Sequence, residues 1–315
     1  MIEKTNHNKA PGLDRIPVKL WKSLANQRKD VDNRGEPEKR CNIAWILTQV
    51  YNDIETYSTD PTAGFSEGCM TPIYKKKDPD DIANYRPITL LNADYKIFMK
   101  ALSMKLADAV PEVIHRDQAG FMKGRSIFDQ DKTTKLVIDY MEGIKMKGVV
   151  VALDQEKAYN KIIHDYLWAV LRKFEFPENF INVVASLYKG AVTKIMINGE
   201  LSLPYLITRG VQQGNPLLYL LFGLAIEPLA QSIRRAAEIN GILIPGRQDS
   251  LKIKLFANNT TVYLSGEDKM EDLQKILNQW CAVSGAKFNI EKMEIIPIGS
   301  EEQQREIRES GRLSK

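Results

Sequence analysis

Apolar residues recur at two spacings along this chain, and the spacings predict a mixed architecture. A helical period runs through Ile16, Leu20 and Trp21 after the Pro11-Gly12 turn, and again through Ile43, Ile46, Leu47 and Val50. It is strongest from Asp94 to Val110, where Ile97, Phe98, Ala101, Leu102 and Leu106 share a face and Lys96, Lys100 and Lys105 lie elsewhere. Further helices are expected from Ser126 to Lys145, from Tyr166 onward, from Phe180 to Lys189, through a very apolar stretch ending near Arg235, and from Lys269 to Ser284. Between them lie runs that suit a pleated surface: Met70 to Lys77, the buried run Val149 to Leu153, Thr193 to Ile207 with a turn at Asn198-Gly199, and Gly285 to Ile298 with Lys292 inside it. Leu251 to Leu264 reads as a hairpin whose two β-branched runs meet at Asn258-Asn259, residues that tolerate positive φ. Gln27 to Arg40 reads as a polar connector. The fold class expected is α+β.

Composition narrows this picture only slightly. A chain of 315 residues supports one large domain or two subdomains. The net charge of +4 is a weak lean towards a polyanionic partner. Cys41, Cys69 and Cys281 stand at unrelated spacings, which argues against a disulfide framework, and with His7, His115 and His164 they make no zinc pattern. A reducing intracellular setting, nucleus or cytoplasm, is expected. The longest greasy run, Pro216 to Ile226, is too short to span a bilayer and is followed at once by Glu227, so no membrane partner is expected. The oligomeric state is left open.

Several stretches carry candidate chemistry. Lys75, Lys76 and Lys77 end a strand and are either a solvated strand end or a phosphate-facing edge. Pro87 holds Arg86 extended, and a guanidinium fork projecting from a fixed backbone suits bidentate phosphate binding. The loop QAGFMKGR, Gln118 to Arg125, combines glycines with bases, which is compatible with phosphate approach. Asp154 closes the buried strand, either as a helix N-cap or as a functional carboxylate at a strand's C-terminal end. Glycines punctuate Thr208 to Phe222 at a helix entrance, where a ligand can approach the backbone.

The order of these blocks carries more than any one of them. NKAPGLDRIP, NYRPITLLN, QAGFMKGR, ALDQEKAYN, RGVQQGNPLLYLLF, KLFANN and SGAKFNIEK follow one another from Asn8 to Ile298, and together they resemble the reverse transcriptase domain of LINE-type (non-LTR) retrotransposons. The resemblance implies a right-hand polymerase fold, with fingers in residues 1–147, an antiparallel palm sheet flanked by helices in 148–300, and a polar tail in 301–315. A thumb would follow residue 300 and is absent from this sequence; the family's endonuclease would precede residue 1. It implies an RNA template, a DNA primer and dNTP as partners, and two Mg²⁺ ions as cofactor. Nucleotidyl transfer uses such a pair to steady the attacking and leaving oxygens, and the hard cation wants anionic oxygen ligands.

The resemblance also assigns residues. Asp154 matches the palm-strand aspartate, and Lys75 and Arg86 match the positive groups of the fingers that grip a triphosphate. Tyr159 stands where a bulky aromatic crowds a ribose 2′-hydroxyl, with core packing as the lesser alternative. Gln213 and Gly214 match the loop against the templating pair, and Lys292 matches a lysine that protonates pyrophosphate, or is an ordinary solvated lysine. At the hairpin the match fails, because Asn258 and Asn259 replace the paired aspartates. Asn160 likewise stands where Asp is common, and Leu218-Tyr219 replaces a usual Ser-Pro. The expectation is a catalytically disabled polymerase domain, with a non-catalytic nucleic-acid-binding protein or a decayed element as the alternative. The three Asp-to-Asn changes each need one G-to-A codon transition, which fits biased decay of an element copy.

Overall fold

The computed structural model describes residues 2–6, 10–32, 42–211, 214–246 and 248–309. In chain order the elements are helices α1 (Val18–Asp32) and α2 (Ile43–Tyr57), strands β1 (Gly68–Tyr74) and β2 (Tyr85–Leu91), helices α3 (Ala93–Val113) and α4 (Ile127–Gly143), and strand β3 (Gly148–Leu153). Then come helices α5 (Ala158–Lys161), α6 (His164–Lys173) and α7 (Glu178–Tyr188), and short strands β4 (Val192–Ile197), β5 (Glu200–Leu201) and β6 (Tyr205–Leu206). The chain continues through α8 (Leu218–Arg235), β7 (Ile253–Phe256), β8 (Asn259–Ser265), α9 (Met270–Ser284), β9 (Glu294–Ile298) and α10 (Glu301–Glu309). The expected α+β class holds, and no described helix is long and apolar enough to cross a membrane.

The chain divides into two compact units, residues 1–106 with 171–218, and residues 107–170 with 219–315. The first is built on a sheet of order β2-β1-β4-β5, with β6 also on β4. β1 and β2 form an antiparallel hairpin, whereas β1 and β4 run parallel. The turn expected at Asn198-Gly199 is present, and both residues take positive φ (52° and 87°), the conformation that a tight primed turn asks of Asn and Gly. Helix α2 begins at Asn42, whose side chain accepts from the Trp45 N–H, and its Tyr51 ring stacks on Phe98 of α3 at 4.5 Å. Asn92 ties the opening Pro-Gly loop down: its carbonyl oxygen accepts from the Asp14 N–H, and a Cβ on Gly12 would lie 2.2 Å from that oxygen. That glycine is there for close approach.

The second unit holds an antiparallel sheet of order β7-β8-β3-β9. The β-branched run of β3 pairs on both edges, with β8 and with β9. One face packs on α4, where Val137 and Met141 meet Val150, Tyr263 and Ile298, together with Ile242 and Leu251. The Tyr263 hydroxyl lies 2.6 Å from the Thr134 hydroxyl, so the buried ring keeps a partner for its polar end.

Three expectations of the sequence reading are corrected. The first six residues of the stretch Gln27 to Arg40 are not connector but the end of α1, and residues 33–41 lie outside those described. Lys292 is not inside a strand; it ends a single 3₁₀ turn, Ile290–Lys292, capped by Asn289, and β9 starts after it. The β7–β8 turn is Ala257-Asn258 rather than Asn258-Asn259, because Phe256 pairs with Asn259. The polar tail beginning at Glu301 includes the helix α10, fastened by a Lys147–Glu306 ion pair of 2.6 Å.

Candidate active site

The site is built at one end of the β3–β8 seam. β3 delivers Asp154, and its last register pair, Leu153 with Thr260, sets Asp154 opposite Asn259 one step further on. Asp154 caps no helix: its carbonyl accepts from the Asn289 N–H, and the short helix α5 starts behind Lys157. The same Asn289 backbone contact brings the 3₁₀ turn alongside, so that the Lys292 ammonium lies 3.3 Å from the Asp154 carboxylate. Asn258, at the turn, receives a long 3.5 Å hydrogen bond from the Tyr159 hydroxyl. Asp154, Tyr159, Asn258, Asn259 and Lys292, scattered over the sequence, therefore converge.

Tyr159 is half-buried, its ring edge-on to Tyr219 (5.8 Å, 87°) and tilted against Phe222 (4.8 Å, 62°). Burial first, then the neighbouring Tyr219, pushes its hydroxyl pKa up to about 12. It stays a neutral donor.

What holds the hairpin tip in place is a residue to which the sequence reading gave another role. Gln118, 1% exposed, accepts with one oxygen from the N–H groups of Gly120 (2.8 Å) and Ala257 (3.0 Å), and donates its amide to the Ala257 carbonyl (3.3 Å). Ala257 carries the positive φ of the turn (57°), a conformation that costs a residue with a Cβ on the order of 1 kcal/mol. The clamp offsets that cost. Further bonds from Ala119 N–H to the Leu255 carbonyl and from Leu255 N–H to the Asp117 carbonyl lay the loop along β7. A Cβ on Gly120 would fall 2.1 Å from the Ala257 nitrogen. So two members of the QAGFMKGR loop, Gly120 and Arg125, serve the fold rather than a phosphate, while Lys123 stays exposed. Gly120 is there for contact with the hairpin, and Arg125 spends its guanidinium on the carbonyls of Ile114, His115 and Gln118. Gln118→Ala strands two N–H groups and a carbonyl in a buried place, so we expect a loss of about 2–4 kcal/mol of stability. The readout is amide exchange at Ala257 together with the denaturation midpoint; unchanged protection at Ala257 would contradict the clamp.

Next to the clamp sits a buried ion network. Asp117, 4% exposed, lies 2.9 Å from His115, 3.4 Å from Lys254 and 3.6 Å from Arg234, and Arg234 also grips Glu227. Burial raises the Glu227 pKa, with Arg234 opposing, and burial lowers that of His115, with Asp117 opposing.

The other expected site residues belong to the first unit. Arg86 pairs with Ile73, and the Lys75 N–H bonds to the Asn84 carbonyl, so the alternation of the hairpin puts Lys75 and Arg86 on one face, both exposed. Gly214 takes a φ of 115° and passes so close to β2 that a Cβ would lie 2.4 Å from the Thr89 carbonyl oxygen. Gln213 lies outside the described residues.

Residues 74–308 match the reverse transcriptase (RNA-dependent DNA polymerase) family. The chain belongs to that family. The non-LTR retrotransposon resemblance stands with it, because the similar proteins come from mobile elements of this kind. This reverse transcriptase domain is 30% identical over 296 residues to the transposon TX1 uncharacterized 149 kDa protein of Xenopus laevis, covering 93% of this chain and 21% of that protein. It is 23% identical over 298 residues to the RNA-directed DNA polymerase from mobile element jockey of Drosophila melanogaster, covering 93% and 30%. The chain spans no more than about a third of the length of the curated relatives it matches. Among solved structures, a telomerase of Candida tropicalis in complex with a fragment of telomeric RNA aligns over 74% of this chain and 41% of its own, with a TM-score of 0.53 at 14% identity. That likeness is one of fold.

A reverse transcriptase palm calls for divalent metal, and the donors here do not fit a pair of such ions. The tip offers one carboxylate, Asp154, already paired to an ammonium, and two uncharged amides. Among the described residues no group of three or more His, Cys, Asp or Glu side chains is placed to hold a metal ion. Hard dications take most of their binding energy from anionic oxygen.

Proposed function

We propose that this reverse transcriptase domain still engages primed RNA but no longer performs nucleotidyl transfer. In the family's terms it keeps fingers and an antiparallel palm of the right-hand polymerase fold, and works in the nucleus or cytoplasm. The observation that carries the reading is the state of Asp154. Its carboxylate faces Lys292 at 3.3 Å, in a place where Asn258 and Asn259 bring oxygens without charge. An ammonium there does electrostatically what a metal would do for that one carboxylate, and brings no open coordination position. Lys75 and Arg86, exposed on one face of their hairpin, supply cationic groups for phosphates, and Gly214 lets its loop lie directly on β2. Tyr159, neutral and held among rings, is fit to crowd a ribose.

The test pairs two measurements on the chain as it stands. Affinity for an RNA template annealed to a DNA primer is measured across salt concentration, and nucleotide addition is measured with Mg²⁺ and dNTP. We expect binding whose logarithm falls linearly with the logarithm of salt, with a slope of several units, and no primer extension. Steady extension would overturn the loss of chemistry. Binding at background would overturn engagement and leave a decayed remnant.

A further inference from the structure

Two partly exposed aromatic rings stand beside the hairpin. Phe121 and Tyr219 stack with centroids 3.9 Å apart and planes 18° apart. Phe121 is 49% exposed and Tyr219 40% exposed, so each ring has one face on the other and a good part of its surface open to water. Phe121 pays for this display in backbone geometry, with a φ of 60°, a region that a bulky residue enters rarely and only when its surroundings hold it there. The pair is not isolated from the site: Tyr219 meets Tyr159 edge-on, and Tyr159 reaches Asn258. The same loop exposes Lys123 next to Phe121, and Phe128 (70% exposed) at the start of α4. Exposed aromatics with an interleaved cation are the pattern that takes up single-stranded nucleic acid, the ring faces receiving bases and the cation the backbone.

We infer that the Phe121–Tyr219 pair is a stacking platform for an unpaired nucleobase, adjoining the hairpin tip. The inference rests on the reading that this domain binds nucleic acid, and adds to it which part of the polymer is held, and by what. A base laid on the outer face of Phe121 would extend the Phe121–Tyr219 stack by one ring, with Tyr159 bracing it edge-on. Every base has such a face, so the platform is indifferent to sequence. Tyr219 is also where the chain departs from the Ser-Pro common in the family, and so the platform is a feature of this chain.

The experiment compares two labelled 12-nucleotide RNA probes, one of mixed sequence and one with the same backbone lacking bases, by fluorescence anisotropy on the full chain. The base-bearing probe should bind about ten-fold tighter, in keeping with one stacked base. Phe121→Gly should abolish most of that difference while leaving the abasic probe's affinity unchanged. Glycine is chosen because it accepts the positive φ at position 121 without strain, so that a loss is not a folding defect. Tyr219→Leu is expected to act in the same direction. Equal affinity for the two probes overturns the platform while the nucleic-acid reading survives, and so does a base-dependent gap that Phe121→Gly leaves intact. Failure of both probes to bind overturns platform and reading together.

Discussion

Asn258→Asp together with Asn259→Asp is expected to raise the affinity of this chain for Mn²⁺ or Mg²⁺ by about two orders of magnitude or more. A unit-charge pair 4 Å apart is worth about 4 kcal/mol at an effective dielectric of 20, and a dication doubles that. Desolvation takes back most of the gain; if a quarter survives, about 2 kcal/mol remains for each carboxylate, roughly thirty-fold. Against this stands Lys292, which must leave Asp154 or share it, and that competition is why the expected figure is below the simple product. The measurement is Mn²⁺ binding followed by water-proton relaxation, on the parent and the double variant. Without metal, three carboxylates at one tip repel, so the double variant should also melt lower than the parent, and added Mg²⁺ should restore it by mass action. A parent that already binds the ion tightly, or a double variant no better than the parent, would sink the explanation. Primer extension by the double variant is a separate readout. If metal binds and extension fails, the defect extends to Leu218-Tyr219, where Tyr219→Pro is the next change to make.

The difference between what was legible in the sequence and what was not follows from the range of the forces involved. Helices α3, α8 and α9 are written in apolar periodicity, and β3 in an unbroken run of Val residues, because each buries its pattern along its own length. The convergence of Asp154 with the hairpin was legible through the order of the blocks, not through any local signal. The turn was misplaced by one residue because propensity favours Asn over Ala in a left-handed conformation. Ala257 adopts it since Gln118, 139 positions away, binds its N–H and carbonyl, and no local rule reports that. Arg125 was hidden at shorter range: its charge suggests phosphate, but the fold of its own loop turns the guanidinium back onto carbonyls 7, 10 and 11 positions earlier. The buried charges were hidden differently. No local pattern marks Asp117 as buried, and for Glu227 only its seven-residue spacing from Arg234 on α8 is compatible with a shared face.

Those charges set the second large effect: Arg234→Ala should cost about 3–5 kcal/mol of stability, the range for removing one partner of a buried ion pair. Glu227 is 1% exposed and has Arg234 as its cationic partner in the network, while Asp117 keeps Lys254 and His115. The loss is thus concentrated on Glu227. Its sign with pH is fixed by the direction of the shift. Burial lifts the Glu227 pKa above its ordinary 4.5, and removing Arg234 takes away the group that holds it down. A carboxyl whose folded pKa is raised binds more protons in the folded state, so its stability contribution is lost as pH rises through that raised value. The variant should therefore lie closer to the parent at pH 5 than at pH 8. His115 works the same way, since Arg234 is one of the charges depressing its pKa and its removal relieves that penalty in acid. Replacing the pair with apolar residues, Arg234→Met with Glu227→Leu, should recover most of the stability and flatten the pH difference, because no buried charge is then stranded. Denaturation midpoints at the two pH values for parent, single and double variants decide it. An Arg234→Ala deficit that is equal at both, or is not recovered in the double variant, would mean that the guanidinium serves packing rather than charge.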